Sequence, residues 1–330
     1  MSLDTDLLVD RRNLRRKLTF WRIFAIIVIV IGLLSLLGWS LGGADVEKRT
    51  AHIARLAFDG IITEDRDLMK MIKEIEENDA VKGVIVSINS PGGTTTGGET
   101  IYNALHDLGQ KKPLVAEIRT VGASAGYMIA LAADHIVARY NTITGSIGVL
   151  FQYGNAAKLF ETVGVEMDAV KSSPLKAEPD FYSPTTPEAK AVLQDLVDDS
   201  YDWFINLVAE RRNLSPFEAR KLADGRIYSG FAASNNGLID AIGSEQTALD
   251  WLEDEKSVQK ELPVVTWSVP RDERNLPFSI KMSNALGNAI ANGLLESVMG
   301  AKRLISPAFM LDGLVSVWQA QSAGAQDARP

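Results

Sequence analysis

The chain has no cysteine, which excludes a disulfide framework and any cysteine-based metal site. Histidine is nearly as scarce: His52, His106 and His135 are the only three in 330 residues, so a histidine-centred catalytic triad has few places to form. Basic residues are outnumbered, 34 Lys and Arg against 42 Asp and Glu. The resulting charge of −8, with cations concentrated in the N-terminal tail, argues against nucleic acid as a partner. Internal repeats are missing too, since Pro91-Gly92-Gly93 and Gly122-Ala-Ser-Ala-Gly126 each occur once. Nothing in the composition calls for a metal or an organic cofactor, and none is expected.

Charge is also missing from Ile23 to Trp39. At about 1.5 Å per residue that run reaches roughly 26 Å, enough for one crossing of bilayer hydrocarbon. Arg11, Arg12, Arg15, Arg16, Lys17 and Arg22 precede it, whereas Asp45 and Glu47 follow. The excess of positive charge places a basic tail, 1–22, in the cytoplasm, a transmembrane anchor over 23–41, and the bulk of the chain outside. Gly42-Gly43-Ala44 offers the alternative of a cleaved signal peptide. The length of the apolar run favours an uncleaved anchor.

What is present is a serine in unusually bare surroundings. Gly122-Ala-Ser-Ala-Gly126 sets Ser124 between small residues at the head of the apolar run Tyr127–Ala133. The form is that of a nucleophile elbow, but hydrolases with that elbow place their histidine late in the chain. Here the last histidine is His135, just beyond the helix that Ser124 would open. The base must therefore be something else, and lysine is the usual substitute. About thirty residues upstream, the β-branched run Val84–Asn89 ends in Ser90-Pro91-Gly92-Gly93. Glycines at a strand end leave backbone N–H groups uncovered, and donors of this kind can receive the oxyanion of acyl transfer, each contributing on the order of 3 kcal/mol. Gly92 and Gly93, with Ala125 next to the nucleophile, are the candidate donors. Each motif alone also fits a plain reading, as close helix packing or as a Pro-Gly turn.

Strand-like and helical patterns alternate through this region: Ile53–Ile62, Asp67–Glu77, Gly83–Asn89, Glu99–Leu108, Leu114–Arg119, Ser124–Ala133 and His135–Ala138. That βαβ rhythm predicts an α/β fold with a parallel sheet and chemistry at the strand ends. A long helix follows over 187–212, and Ser215-Pro-Phe-Glu218 announces another with a capping box. About 230 residues, 46–275, suffice for one large core. The stretch 276–318 is apolar and helix-prone without a place in that core, which suggests an interface. Residues 319–330 are small and polar, and disorder is expected there.

Five segments taken together, S-P-G-G at 90–93, G-A-S-A-G at 122–126, T-G-S-I-G at 144–148, K-S-S-P-L-K at 171–176 and A-x-x-x-G-L-I-D at 233–240, resemble the signal peptide peptidase A family of membrane-anchored Ser-Lys proteases. The resemblance runs over about 50–260. It implies the superfold shared by the Clp protease and the crotonases, with Ser124 as nucleophile, Lys176 as general base and Ser146 helping to hold that lysine. Lys171, the first lysine of the same segment, remains an alternative base. The resemblance further implies a homo-oligomer on the outer, periplasmic face of a bacterial inner membrane, with the serine of one subunit served by the lysine of a neighbour. Its substrates would be signal peptides left after precursor processing, unfolded and apolar. Tyr127, Met128 and Ile147 are the expected groove walls.

A free ammonium has a pKa near 10.4, so a lysine base working near neutrality must be depressed by about 3 units, worth roughly 4 kcal/mol. Burial has to provide that shift. Glu178 and Asp180 would oppose it by pairing with the base, and they are expected to turn away from Lys176. Two other function classes remain: a crotonase-like acyl-CoA enzyme, which would use the oxyanion donors but not Ser124, and a non-catalytic membrane scaffold.

Overall fold

A computed structural model describes residues 21–32, 48–269 and 315–317. They belong to two units, one ending at His52 and the other starting at Ile53. In the first, residues 21–32 form an exposed helix, α1. It carries only residues 23–32 of the expected anchor; 33–41 lie outside the described residues. Among the described residues, no helix is long and apolar enough to cross a membrane.

The second unit follows the predicted alternation: β1 (His52–Ile62), α2 (Arg66–Glu77), β2 (Val81–Thr94), α3 (Thr95–Gly109), β3 (Leu114–Ala123), α4 (Ala125–Ala130) and β4 (His135–Ala138). The local chemistry explains these bounds. Asp65 starts α2 by accepting the N–H groups of Asp67 and Leu68 (2.8 and 3.2 Å), and Met71, Ile72 and Ile75 recur at the 3–4 spacing that turns one face inward. Along the strands the period is two. Val84, Val86 and Ile88 of β2, with Leu114, Ala116 and Ile118 of β3, join the large core under α3, α4 and α6 (Pro187–Arg211). Ile85, Val115 and Val137 point the other way, into a smaller core with Ala248 and Leu252 of α9 (Glu245–Asp254). Both faces are covered, which is why these strands read as nearly unbroken apolar runs.

The main order across the sheet is β6-β5-β3-β2-β1-β8, where β5 is Ile143–Gly145, β6 Ile227–Ser229 and β8 Val264–Trp267. Strand β3 changes partner along its length. Val115–Ile118 pair in parallel with β4, whereas Val121–Ala123 pair in parallel with β5. The end of β3 is therefore framed by β2 on one side and β5 on the other. The expected helices over 187–212 and after Ser215 are found, the second (α7, Pro216–Leu222) with its capping box complete.

Two expectations need correction. Strand β2 does not stop at Pro91 but runs on through the glycines to Thr94. The stretch 276–318 lies outside the described residues except for 315–317, and those form a strand, β9 (Val315–Val317), rather than part of a helix. It pairs antiparallel with the end of β2, in the register Gly92↔Val317, Gly93↔Ser316 and Thr94↔Val315. The two findings go together: pairing with β9 carries β2 on past Ser90, its last partner position against β3.

Candidate active site

Ser124 occupies the single residue between β3 and α4, at φ 57° and ψ −120°. A residue with a Cβ rarely adopts that conformation, which costs of order 1–3 kcal/mol and persists only where the surroundings impose it. Its surroundings do so from both directions. The Ser124 N–H donates to the Gly145 carbonyl (2.8 Å), and the Ser124 carbonyl accepts from the Met128 N–H (2.9 Å) to begin the helix. The whole of α4 is buried, and Ser124 itself is 1% exposed.

The neighbouring glycines are present because backbone comes too close for side chains. A Cβ on Gly126 would lie 2.8 Å from the Ser90 carbonyl oxygen, so the first turn of α4 rests directly on β2. One on Gly93 would stand 1.8 Å from the Ile62 carbonyl oxygen. Strand β2 and the nucleophile are thus locked side by side, with Ser90 level with Gly122 of β3. Thr94 closes the glycine stretch by accepting the Gly97 N–H (3.1 Å) at the head of α3.

Of the expected oxyanion donors, Gly92 is not available: its N–H donates to Ser90 Oγ (3.1 Å) and its φ is 117°. The other two candidates are Gly93, which lies opposite Ser316 of β9, and Ala125, the first residue of α4, whose N–H has no partner within the helix. Ser146 lies beside this group, 8% exposed at φ 49°, with its N–H donating to the Arg226 carbonyl (2.8 Å). Thr144 Oγ1 donates to the Gly122 carbonyl (2.7 Å), tying β5 to the strand that carries the nucleophile.

The expected groove walls are corrected as well. Tyr127, Met128 and Ile147 have no exposed surface and belong to the main core. The Tyr127 hydroxyl donates to the Leu238 carbonyl (2.7 Å), and burial pushes its pKa far up. Helix α4 is therefore anchored to the A-x-x-x-G-L-I-D segment, which accounts for that motif structurally. None of the histidines joins the site: His135 stacks on Trp251 (4.8 Å), His106 on Tyr102 (5.7 Å), and His52 Nδ1 lies 2.7 Å from the Thr50 carbonyl oxygen.

The two candidate lysines differ sharply. Lys171 Nζ donates to Glu178 (2.6 Å) and Asp180 (3.4 Å). The hydrogen bond it donates to Glu178 raises its pKa further, against a smaller effect of burial. Burial would raise Asp180, but hydrogen bonds from Ser183, Tyr182 and Lys171 outweigh that and hold its carboxyl below the ordinary range. Lys171 is thus a fixed cation, and both acids are engaged with it rather than with Lys176. Lys176 is exposed, in a segment of turns whose short helix α5 (Ala157–Val163) buries none of its residues. Within that segment Phe181 packs edge-on against Phe160 and Tyr182, while Val163, Met167 and Leu175 face outward.

Sequence reasoning missed Ser90 as a partner of Gly92 and β9 as the strand beside the glycines. Ser90 stood in the S-P-G-G motif, and its short hydroxyl two residues before an N–H is the available signal. Nothing local marks Val315–Val317 as a partner of residues more than two hundred positions earlier.

The Peptidase family S49 model matches residues 106–259, and the Clp protease model matches 61–147. A Synechocystis protein named as a candidate protease is 39% identical over 201 residues, 60% of this chain and 72% of that protein. Another, from Methanocaldococcus jannaschii and named in the same way, is 31% identical over 302 residues, 86% of this chain and 97% of its own length. A candidate signal peptide peptidase SppA of Enterococcus faecium is 38% identical over 197 residues, 58% and 56% of the two chains. Both family-model matches span the strained strand-to-helix turn at Ser124 in the α/β sheet of Clp protease type that carries it, and the chain belongs to peptidase family S49, the SppA family of serine proteases.

Proposed function

We propose that this serine protease works through a Ser124–Lys176 dyad completed between subunits, and that it cleaves unfolded apolar peptides, signal-peptide remnants among them, laid as a strand along Gly92–Thr94. In this reaction the neutral Lys176 amine takes the proton of Ser124 Oγ as that oxygen attacks the scissile carbonyl. The N–H groups of Gly93 and Ala125 receive the oxyanion. Collapse of the tetrahedral intermediate passes the proton from Lys176 to the leaving amine, and water then releases the acyl group by the same path in reverse.

The observation that carries this reading is the strained turn at Ser124, a buried serine held by its surroundings in a conformation of the kind that clusters at functional sites. The choice of lysine is supported by the Lys171–Glu178–Asp180 cluster, because a paired ammonium is a poor base. Completion in trans is supported by the contrast between a buried Ser124 and an exposed Lys176 on a segment that presents apolar side chains to solvent. A neighbour covering that segment would supply the burial a lysine base requires. Strand-wise peptide binding is supported by β9, which already pairs with Gly92–Thr94 in this manner.

The decisive test uses three variants of the full chain on a fluorogenic peptide. Ser124→Ala and Lys176→Ala are expected to be inactive, and Lys171→Ala to retain activity. Mixing the two inactive variants should restore turnover, because hybrid assemblies contain intact sites. Full activity in Lys176→Ala would refute the base; inactive mixtures would refute sharing. Full activity in Ser124→Ala would refute the nucleophile, and equal, background turnover by wild type and Ser124→Ala is the result a scaffold or an acyl-CoA enzyme would give. We further propose that 23–41 anchors the chain with its catalytic unit on the periplasmic side of a bacterial inner membrane. Extraction by detergent but not by alkaline carbonate, with digestion of the catalytic unit by protease added outside, is the expected result.

A further inference from the structure

Two adjacent glycines form the least restrained backbone possible, yet the oxyanion chemistry needs the Gly93 N–H held in one direction. Gly93 is blocked on one side by the backbone of Ile62, and Thr94 is fixed as the cap of α3. Apart from its place opposite Val317 of β9, Gly92 has neither restraint, and its φ of 117° is one that only glycine adopts with ease. What holds it is Ser90. The Ser90 hydroxyl, fully buried, accepts the Gly92 N–H (3.1 Å) and donates to the Gly92 carbonyl (3.3 Å), so both polar groups of that residue close onto one oxygen. The Gly92 carbonyl belongs to the peptide that carries the Gly93 N–H, so the second bond bears directly on where that donor points. The same residue touches the other half of the site, since its carbonyl abuts Gly126 in the first turn of α4.

We propose that Ser90 is a positioning residue for catalysis: it spends the Gly92 N–H as a structural bond in order to orient the Gly93 N–H toward the oxyanion, and it sets the distance from that donor to the Ala125 N–H. This rests on the reading of Ser124 as nucleophile and of Gly93 and Ala125 as donors. A residue acting this way affects the transition state and not ground-state binding.

The test compares Ser90→Ala and Ser90→Cys with the wild type and with Ser124→Ala, measuring kcat and KM on one peptide, inhibition by a peptide boronic acid that mimics the tetrahedral intermediate, and binding of a non-cleavable peptide analogue to each. Ser90→Ala is expected to lower kcat by roughly 10- to 100-fold, somewhat less than loss of a whole donor, with KM nearly unchanged. Boronate affinity should fall in parallel while analogue binding holds, and Ser90→Cys, which keeps a weak donor and acceptor, should fall in between. If Ser90→Ala unfolds, the cysteine variant bears the same comparison. Unchanged kcat, or a loss of kcat without loss of boronate affinity, overturns the proposal. An active Ser124→Ala would instead overturn the reading beneath it.

Discussion

Replacing Ser124 by glycine should leave the protein more stable than replacing it by alanine, the reverse of the usual order. Alanine keeps the Cβ and therefore the strain of φ 57°, ψ −120°, which costs roughly 1–3 kcal/mol; glycine relieves it. Against that gain stands the larger entropy glycine loses on folding, about 0.5–1 kcal/mol. The difference favours glycine by about 1 kcal/mol, with a range of roughly 0 to 2.5. For a folded unit of this size 1 kcal/mol corresponds to about 2–4 °C in Tm. The assay is equilibrium urea unfolding and thermal denaturation of the two inactive variants in parallel. Ala191→Gly, at an exposed position within α6, serves as the control and should be destabilised by the ordinary amount, about 0.5–1 kcal/mol. If Ser124→Gly falls below Ser124→Ala by that same ordinary amount, the turn is not strained and the argument that Ser124 is held there for function fails.

Gly93→Ala places a methyl carbon 1.8 Å from the Ile62 carbonyl oxygen, so the glycine strand must shift away from Ile62 and its N–H leaves its place. A loss of kcat/KM of about 100-fold or more is expected from displacement of an oxyanion donor, and activity within a few-fold of wild type would refute it. Tyr127→Phe removes the hydrogen bond to the buried Leu238 carbonyl and leaves that oxygen without its partner, at a cost of about 1–3 kcal/mol. Its Tm should fall by several degrees, with Ser124 still labelled by a fluorophosphonate. Deleting residues 314–330 vacates the strand position beside Gly92–Thr94. Apparent peptide affinity should rise about tenfold for each 1.4 kcal/mol by which that segment had held the position, and an unchanged KM would show that it does not compete.

Much of this site is legible in local sequence because its parts are backbone parts. Gly93 and Gly126 are where main chain meets main chain, and small residues around a serine announce that approach before any fold is known. The order of strands and helices is equally legible, since periods of two and of 3.6 are local properties. The errors share a different cause. Tyr127, Met128 and Ile147 are expected at a groove because they stand next to the catalytic motifs, but α4 buries every side chain it carries and Ile147, beyond β5, lies in the same core, so adjacency in sequence says nothing about facing a cleft. Gly92 was expected as a donor because the motif has two glycines; only the Ser90 hydroxyl, folded back on it, removes one.

By itself, the sequence determined the chemistry on offer: a serine that no histidine can serve, two lysines as possible bases, glycines that bare the backbone, and an apolar stretch ahead of them. Tertiary structure decided which of these groups are usable. It tied Lys171 to Glu178 and Asp180 and left Lys176 exposed, it consumed the Gly92 N–H, and it brought Val315–Val317 alongside residues 92–94. The division is physical: residue type and spacing fix what a segment can do, whereas hydrogen-bond partners, burial and strand pairing depend on distant segments meeting in space.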